Sequence, residues 1–335
     1  MDTKLARPIT AQELHTYEED GVVWLPDIIE RSWAKLLEEI IADTLVNPPR
    51  TAADMTNLGM LANEPENVEG FIAGADWIGS NDYAQATREA PTGLQGTILM
   101  DDRVDAKTGP RGHFFHGGNV WFYNQRMREL ALRSPVPEVA ATLMQSKRAY
   151  YYGDQILIKP PRTLERTAWH QDLGYGHYTG SQFAGVRIPC DQESMETGAI
   201  GYLKGSHRTK NVYKVNFFIA NVTNPADDGA DVPAIEGREE EFDIVYYTPG
   251  PGDLVIHNLA TLHGAGGNRS NEKTRRAATL RYCGDDATYL RRQMAPPQAV
   301  ESKLVDGDPL AADPDNFPIA WPPAERNEPP LMPPP

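Results

Sequence analysis

Apolar positions recur along this chain with two different periods, and the change of period divides it. In the first third the spacing is helical. Thr10-Ala11-Gln12-Glu13 has the form of a capping box, which predicts a short helix to about Asp20. Gly21 breaks it, and Val22-Val23-Trp24-Leu25 reads as a strand. Trp33, Leu36, Leu37, Ile40 and Ile41 fall on one face of a second helix, from Ser32 to the stop at Pro48-Pro49. His113–His116 and Val120–Tyr123 flank Gly117-Gly118, read as a turn, and Gln125 to Arg133 reads as helical. Pro137, tolerated in a first turn, opens a helix over Glu138 to Met144.

Beyond Arg148 the pattern shortens. Ala149–Tyr152, Gln155–Lys159, Phe183–Pro189, Phe242–Tyr247, Asp253–His257 and Ala277–Tyr282 are strand-like runs punctuated by Gly, Pro and Asn. Such a series predicts a sandwich or barrel. Residues 47–112 carry no clear period, and a stretch of that length is expected to hold a lid or insertion with short elements of its own. From Asp306 onward ten prolines fall within thirty residues, so 306–335 is expected to be an extended tail on a single domain over 1–305.

Composition narrows the classes. Of 335 residues 40% are hydrophobic, which suits a globular core. A net charge of −15 disfavours nucleic acid as a partner. No apolar run approaches the ~20 residues of a membrane helix, and the first residues lack the apolar stretch of a signal peptide. Two cysteines give no disulfide framework, so a reducing, cytoplasmic location is expected. Acidic clusters such as Arg238-Glu239-Glu240-Glu241 read as solvated surface.

The candidate chemistry lies in Trp169-His-Gln-Asp-Leu-Gly-Tyr-Gly-His177. On extended backbone His170 and Asp172 project from one face. Imidazole and carboxylate together suit Fe(II), Mn(II) or Zn(II). A second segment, Pro251 to Ser270, follows a Gly-Asp turn with His257 and His263, and then come Arg275 and Arg276. Either histidine can close the set. Two histidines and a carboxylate leave three positions open, enough for a keto acid and dioxygen. An arginine beyond them can pair with the keto acid's far carboxylate.

Taken in order, Gln155-Ile-Leu-Ile-Lys-Pro-Pro161, Trp169-His-Gln-Asp-Leu173, Gly198-Ala-Ile-Gly-Tyr-Leu-Lys-Gly-Ser-His-Arg208 and the segment Gly252 to Arg276 resemble the phytanoyl-CoA dioxygenase family of Fe(II)- and 2-oxoglutarate-dependent oxygenases. The resemblance spans Tyr150 to Tyr282 well and residues 10 to 45 weakly. It implies a mainly β fold with flanking helices, a double-stranded β-helix of jelly-roll type. It implies Fe(II) on His170, Asp172 and His263, with His257 a packing or supporting histidine. It implies 2-oxoglutarate held by Arg275, with Arg276 in reserve, and touched by Gln155. Gln171, Tyr175, His177, Trp121 and Tyr123 are candidates for the substrate side. Arg187 departs from the aromatic residue common at its position in relatives. The implied reaction consumes O2 and hydroxylates a C–H bond while 2-oxoglutarate becomes succinate; Asp172 argues against halogenation. The expected substrate is a small organic metabolite, such as a natural-product intermediate, because a polyanionic acyl-CoA thioester suits a chain of charge −15 poorly. The competing readings are an acyl-CoA hydroxylase, a non-oxidative metal-dependent jelly-roll enzyme, a non-catalytic binding module and a zinc hydrolase. Oligomeric state stays open.

Overall fold

The computed structural model of the chain describes residues 1–48, 52–56, 99–103, 111–223, 227–295 and 300–333. The expected lid or insertion at 47–112 falls mostly outside the described residues. At the N-terminus the capping box forms in full: Thr10 Oγ1 accepts from the Glu13 amide, and the Glu13 carboxylate accepts from the Thr10 amide. Helix α1 (Ala11–Asp20) ends on Gly21 at φ 72°, a conformation glycine enters without strain, and β1 (Val22–Leu25) follows. Helix α2 (Arg31–Val46) buries Trp33, Leu37, Ile40 and Ile41, as the periodicity predicts.

One local reading changes and two gain detail. Gly117-Gly118 are not a turn but the end of a strand, Phe115–Gly118; Asn119, at φ 57°, turns the chain instead. Val120–Phe122, read only as the flank of that turn, is itself a 3-10 turn, because the Asp154 carboxylate accepts from the amides of Val120 and Trp121 and coils them inward. Gln125–Arg133 is a short α-helix (Gln125–Arg128) that widens into a π turn (Glu129–Arg133). A further helix over Val136–Leu143 carries its proline in the first turn.

The strands are β1, β2 (Ala53–Asp54), β3 (Phe115–Gly118), β4 (Ala149–Lys159), β5 (Thr167–His170), β6 (Tyr178–Thr179), β7 (Phe183–Pro189), β8 (Ile200–Leu203), β9 (Asn216–Phe217), β10 (Ala220–Thr223), β11 (Ile244–Tyr246), β12 (Leu254–His257), β13 (His263–Ala265), β14 (Arg275–Cys283), β15 (Thr288–Tyr289) and β16 (Ile319–Trp321). The two runs read separately as Ala149–Tyr152 and Gln155–Lys159 are one strand, β4. The main sheet runs β1-β12-β7-β14-β4-β3-β2, with β16 added to β4, and a second sheet runs β11-β8-β13-β5. Every pairing within these two sheets is antiparallel. The fold is a double-stranded β-helix of jelly-roll type.

Strand alternation gives the main sheet two unlike faces. Ile156, Ile158, Val186, Ile188, Ile256, Ala278, Leu280 and Tyr282 point to the helices and form the large core with Trp33, Leu37, Leu130 and Val139. Each fully buried aliphatic side chain there stabilises the fold by roughly 1.5–3 kcal/mol. The opposite face of β14 presents Arg275, Ala277, Thr279 and Arg281 towards the second sheet.

The proline-rich tail is held to the body. β16 pairs with β4. The buried Arg128 guanidinium donates to the carbonyls of Pro329 and Pro330, and the Met332 amide donates to Phe122 O. No helix among the described residues is long and apolar enough to cross a membrane.

Candidate metal centre

β5 ends at His170, and β13 begins at His263. The antiparallel register sets these two residues opposite each other, with ring centroids 4.3 Å apart. A 3-10 turn then carries Asp172 in beside them. One ligand atom from each of His170, Asp172 and His263 lies within 4.8 Å of the others, and all three residues are buried. The glycine after His263 gives the Trp169 ring its room: a Cβ at Gly264 would stand 3.1 Å from that ring, a tight contact.

The two imidazoles are prepared alike. His170 Nδ1 lies 2.7 Å from Ala168 O, and His263 Nδ1 lies 3.0 Å from Thr261 O. A carbonyl only accepts, so each Nδ1 carries the proton and each Nε2 keeps a lone pair for a cation. Burial lowers the pKa of both rings, that of His263 well below the usual histidine range with His170 adding to the effect. Both are neutral near pH 7, as metal ligands must be.

The carboxylate is held by two cationic or donor side chains. Arg281 reaches Asp172 through Nε to Oδ2 at 3.1 Å and Nη2 to Oδ1 at 3.0 Å, a two-point fork. His257 Nε2 lies 3.2 Å from Oδ2. Burial raises the Asp172 carboxyl, but Arg281 and then His257 outweigh it and hold the group well below the usual carboxylate range. His257 owes its room to Gly185, where a Cβ would come within 2.5 Å of the imidazole. His257 thus touches Asp172 and is not part of the set of three. Gln155 Oε1 accepts from Arg281 Nη2 at 2.7 Å, which fixes the arginine from the other side.

Deeper along the same face lie Arg275, Arg187 and Lys159. Arg275 is 1% exposed; its Nη1 donates to Gly198 O, and its Nε is buried with no partner among the described residues. Burial, with Arg187 nearby, pushes its pKa down to about 10, so it stays charged. Arg187 is paired with buried Glu193 and keeps Nη1 without a partner among the described residues. Lys159 lies opposite Arg275 in the β4–β14 register and donates to the carbonyls of Glu165 and Gly266, both at 2.9 Å. Arg276, the neighbour, points the other way and pairs with Asp191 and Glu38.

The remaining candidates divide. Tyr175 stays at the site, its ring centroid 5.6 Å from that of His170 and its hydroxyl 2.8 Å from Asn216 Oδ1. Gln171 turns away: its amide bonds the backbone of Asn211, Tyr213 and Ala260, so it fastens the loop and faces no substrate. His177 is buried, and its Nδ1 accepts from the Arg292 amide at 3.2 Å. Trp121 and Tyr123 belong to the helix-side core, behind the sheet, because the turn at Asn119 carries them across; neither faces the metal side. Three participants were not singled out by sequence. They are Arg281, Lys159 and His116, whose ring sits 5.6 Å from Phe218, itself 5.6 Å from His170. Even spacing from Arg275 and Gln155 along their strands is the signal that could have found the first two.

Comparison with known proteins agrees with this geometry. A chain segment of 145 residues is 31% identical to the probable alpha-ketoglutarate-dependent hypophosphite dioxygenase of Stutzerimonas stutzeri, covering 42% of this chain and 46% of that protein. The match thus spans about half of the curated relative. Among solved structures the fold is similar to the alpha-ketoglutarate-dependent epimerase SnoN of nogalamycin biosynthesis, with TM-score 0.56, 17% identity and coverage of 92% and 97% of the two chains. It is also similar to EctD from S. alaskensis, with TM-score 0.52, 16% identity and coverage of 90% and 86%. A family model described as phytanoyl-CoA dioxygenase (PhyH) matches residues 65–277, and the chain belongs to that family.

Proposed function

We propose that the protein is an Fe(II)- and 2-oxoglutarate-dependent oxygenase that hydroxylates a C–H bond of a small organic metabolite. The observation that carries this is the set of His170, Asp172 and His263 within 4.8 Å, with a buried arginine, Arg275, further along the facing sheet. Two neutral imidazole nitrogens and one ionised carboxylate fit Fe(II) and leave positions for a chelating keto acid. When bound, Fe(II) and 2-oxoglutarate supply dioxygen activation coupled to decarboxylation of the keto acid.

The chain's own residues do the rest. Ala168 O and Thr261 O keep the two histidines in the ligating tautomer. Arg281 and His257 keep Asp172 ionised and oriented. Arg275 offers its Nε–H, which has no partner among the described residues, to the far carboxylate of the cosubstrate, and Gln155 sets the position of Arg281. Phe218, Tyr175 and Tyr202 shield the imidazoles from bulk water, with Tyr202 5.8 Å from His263. A cytoplasmic location fits two buried, unpaired cysteines.

Similar proteins bear names that run from hypophosphite to nogalamycin, so similarity alone does not choose a substrate. The net charge of −15 supports a free metabolite over a CoA thioester. The test is succinate release from 2-oxoglutarate, dependent on Fe(II), over a metabolite panel. Turnover that His170→Ala and Asp172→Ala abolish supports the proposal. Turnover without succinate supports a non-oxidative jelly-roll enzyme, and turnover with acyl-CoA esters alone supports the thioester reading.

A further inference from the structure

We infer that the substrate carries a single anionic group, a carboxylate or a phosphorus oxyanion, seated between Arg281 and His116. This deepens the oxygenase reading and rests on it.

Three observations converge. Arg281 commits Nε and Nη2 to Asp172 and Gln155, while Nη1 has no partner among the described residues and the side chain keeps 17% of its surface exposed. A guanidinium has five N–H donors in a fixed fork, so this outer edge retains two, aimed away from the carboxylate it already holds. His116 lies on the same face of the main sheet, on the far side of β4 from Arg281: it pairs with Leu157 of β4, two residues from Gln155. Its Nδ1 is buried and has no partner among the described residues. The rings of His116 and His170 each pack against Phe218 with centroids 5.6 Å apart, so the His116 ring lies on the metal side of the sheet.

Charge supplies the third. The pocket face holds three guanidinium groups, of Arg187, Arg275 and Arg281, against two carboxylates, of Asp172 and Glu193. An Fe(II) ion and a 2-oxoglutarate dianion cancel each other. The loaded site therefore keeps an excess of one positive charge; Lys159 stands outside this count, because burial and then Arg275 hold its pKa well below the usual lysine range. Asp154 does not offset this, because it lies across the sheet, bonded to the amides of Val120 and Trp121. In a chain of net charge −15 such a local excess stands out, and a substrate monoanion balances it where a polyanion overfills it.

Anaerobic protein loaded with Fe(II) and 2-oxoglutarate provides the test, through the visible charge-transfer absorption of the chelate. The probes are isobutyrate and methylphosphonate, each against a neutral counterpart, isobutyramide and dimethyl methylphosphonate. At least one anion is expected to shift the band with at least about tenfold higher affinity than its neutral counterpart, about 1.4 kcal/mol. Whichever acid shifts it identifies the anion class. His116→Asn should reduce that preference severalfold with the band itself retained, and Arg281→Lys should reduce it too. A band that neither anion perturbs at millimolar concentration, equal response to acid and neutral probe, or loss of the band through displacement of 2-oxoglutarate overturns the proposal. Failure of the band to form at all instead overturns the oxygenase reading.

Discussion

Arg281 binds both oxygens of Asp172, at 3.1 and 3.0 Å, and so grips the one carboxylate of the metal set from behind. The pairing crosses from the main sheet to the turn after β5, and it ties the two halves of the site together. Arg281→Lys keeps the charge and loses the fork. Metal affinity is then expected to fall about 10–100-fold, as for other partners of metal ligands, with the fold intact by circular dichroism. Competition against a fluorescent chelator measures this, and an unchanged affinity would falsify the positioning role.

Arg275 and Arg276 are adjacent in sequence and opposite in space. Arg275→Met should weaken 2-oxoglutarate binding by 2–5 kcal/mol, roughly 30-fold or more. Arg276→Met should leave that binding within about twofold and cost only about 1 kcal/mol of stability, since its ion pairs are partly exposed. Isothermal titration with 2-oxoglutarate and a denaturant melt separate the two effects. The reverse pattern would exchange their roles.

His116 makes a prediction about pH. Burial pushes its pKa down to about 4, with Arg281 nearby adding to the effect. The unfolded chain takes up this proton near pH 6.5, before the folded one does. The stability it contributes is therefore full above pH 6.5 and is lost as pH falls towards 4. The loss is at most about 3 kcal/mol, less because His116 as a residue is only part-buried. His116→Asn should flatten the unfolding free energy across that window. An identical slope in the variant contradicts this account.

The tail matters to the core beneath it. Arg128 is 3% exposed and spends two N–H groups on the carbonyls of Pro329 and Pro330. A chain ending at Arg326 leaves a buried cation short of acceptors, at a cost of about 3 kcal/mol. Its Tm should fall by several degrees, and Arg128→Met in the shortened chain should recover part of the loss. A Tm unaffected by the truncation removes the tail from the stability account.

The legibility of this molecule follows from how local each signal is. The capping box at Thr10 and Glu13 and the spacing Trp33–Ile41 are short-range patterns, and α1 and α2 form where they predict. His170 and Asp172 were readable because they lie within three residues of each other, although the backbone is extended only to His170 and Asp172 opens a 3-10 turn. His263 needed the family resemblance to separate it from His257, since both histidines follow the same turn. What escaped depended on contacts distant in sequence. The turn at Asn119 is driven by Asp154, thirty-five residues on, and so the side of the sheet on which Trp121 and Tyr123 would land was not visible. Arg281 reads as an ordinary strand residue until β14 is laid beside β7 and the turn carrying Asp172.

The proposed activity requires His170, Asp172 and His263, backed by Arg275, to form one centre for Fe(II) and 2-oxoglutarate. The most direct measurement is the visible charge-transfer absorption on adding both to anaerobic protein. A band is expected in the native chain, with its loss in His263→Ala and Asp172→Ala and its survival in His257→Ala. No band in the native chain, or a band that survives His263→Ala and disappears in His257→Ala, would contradict it.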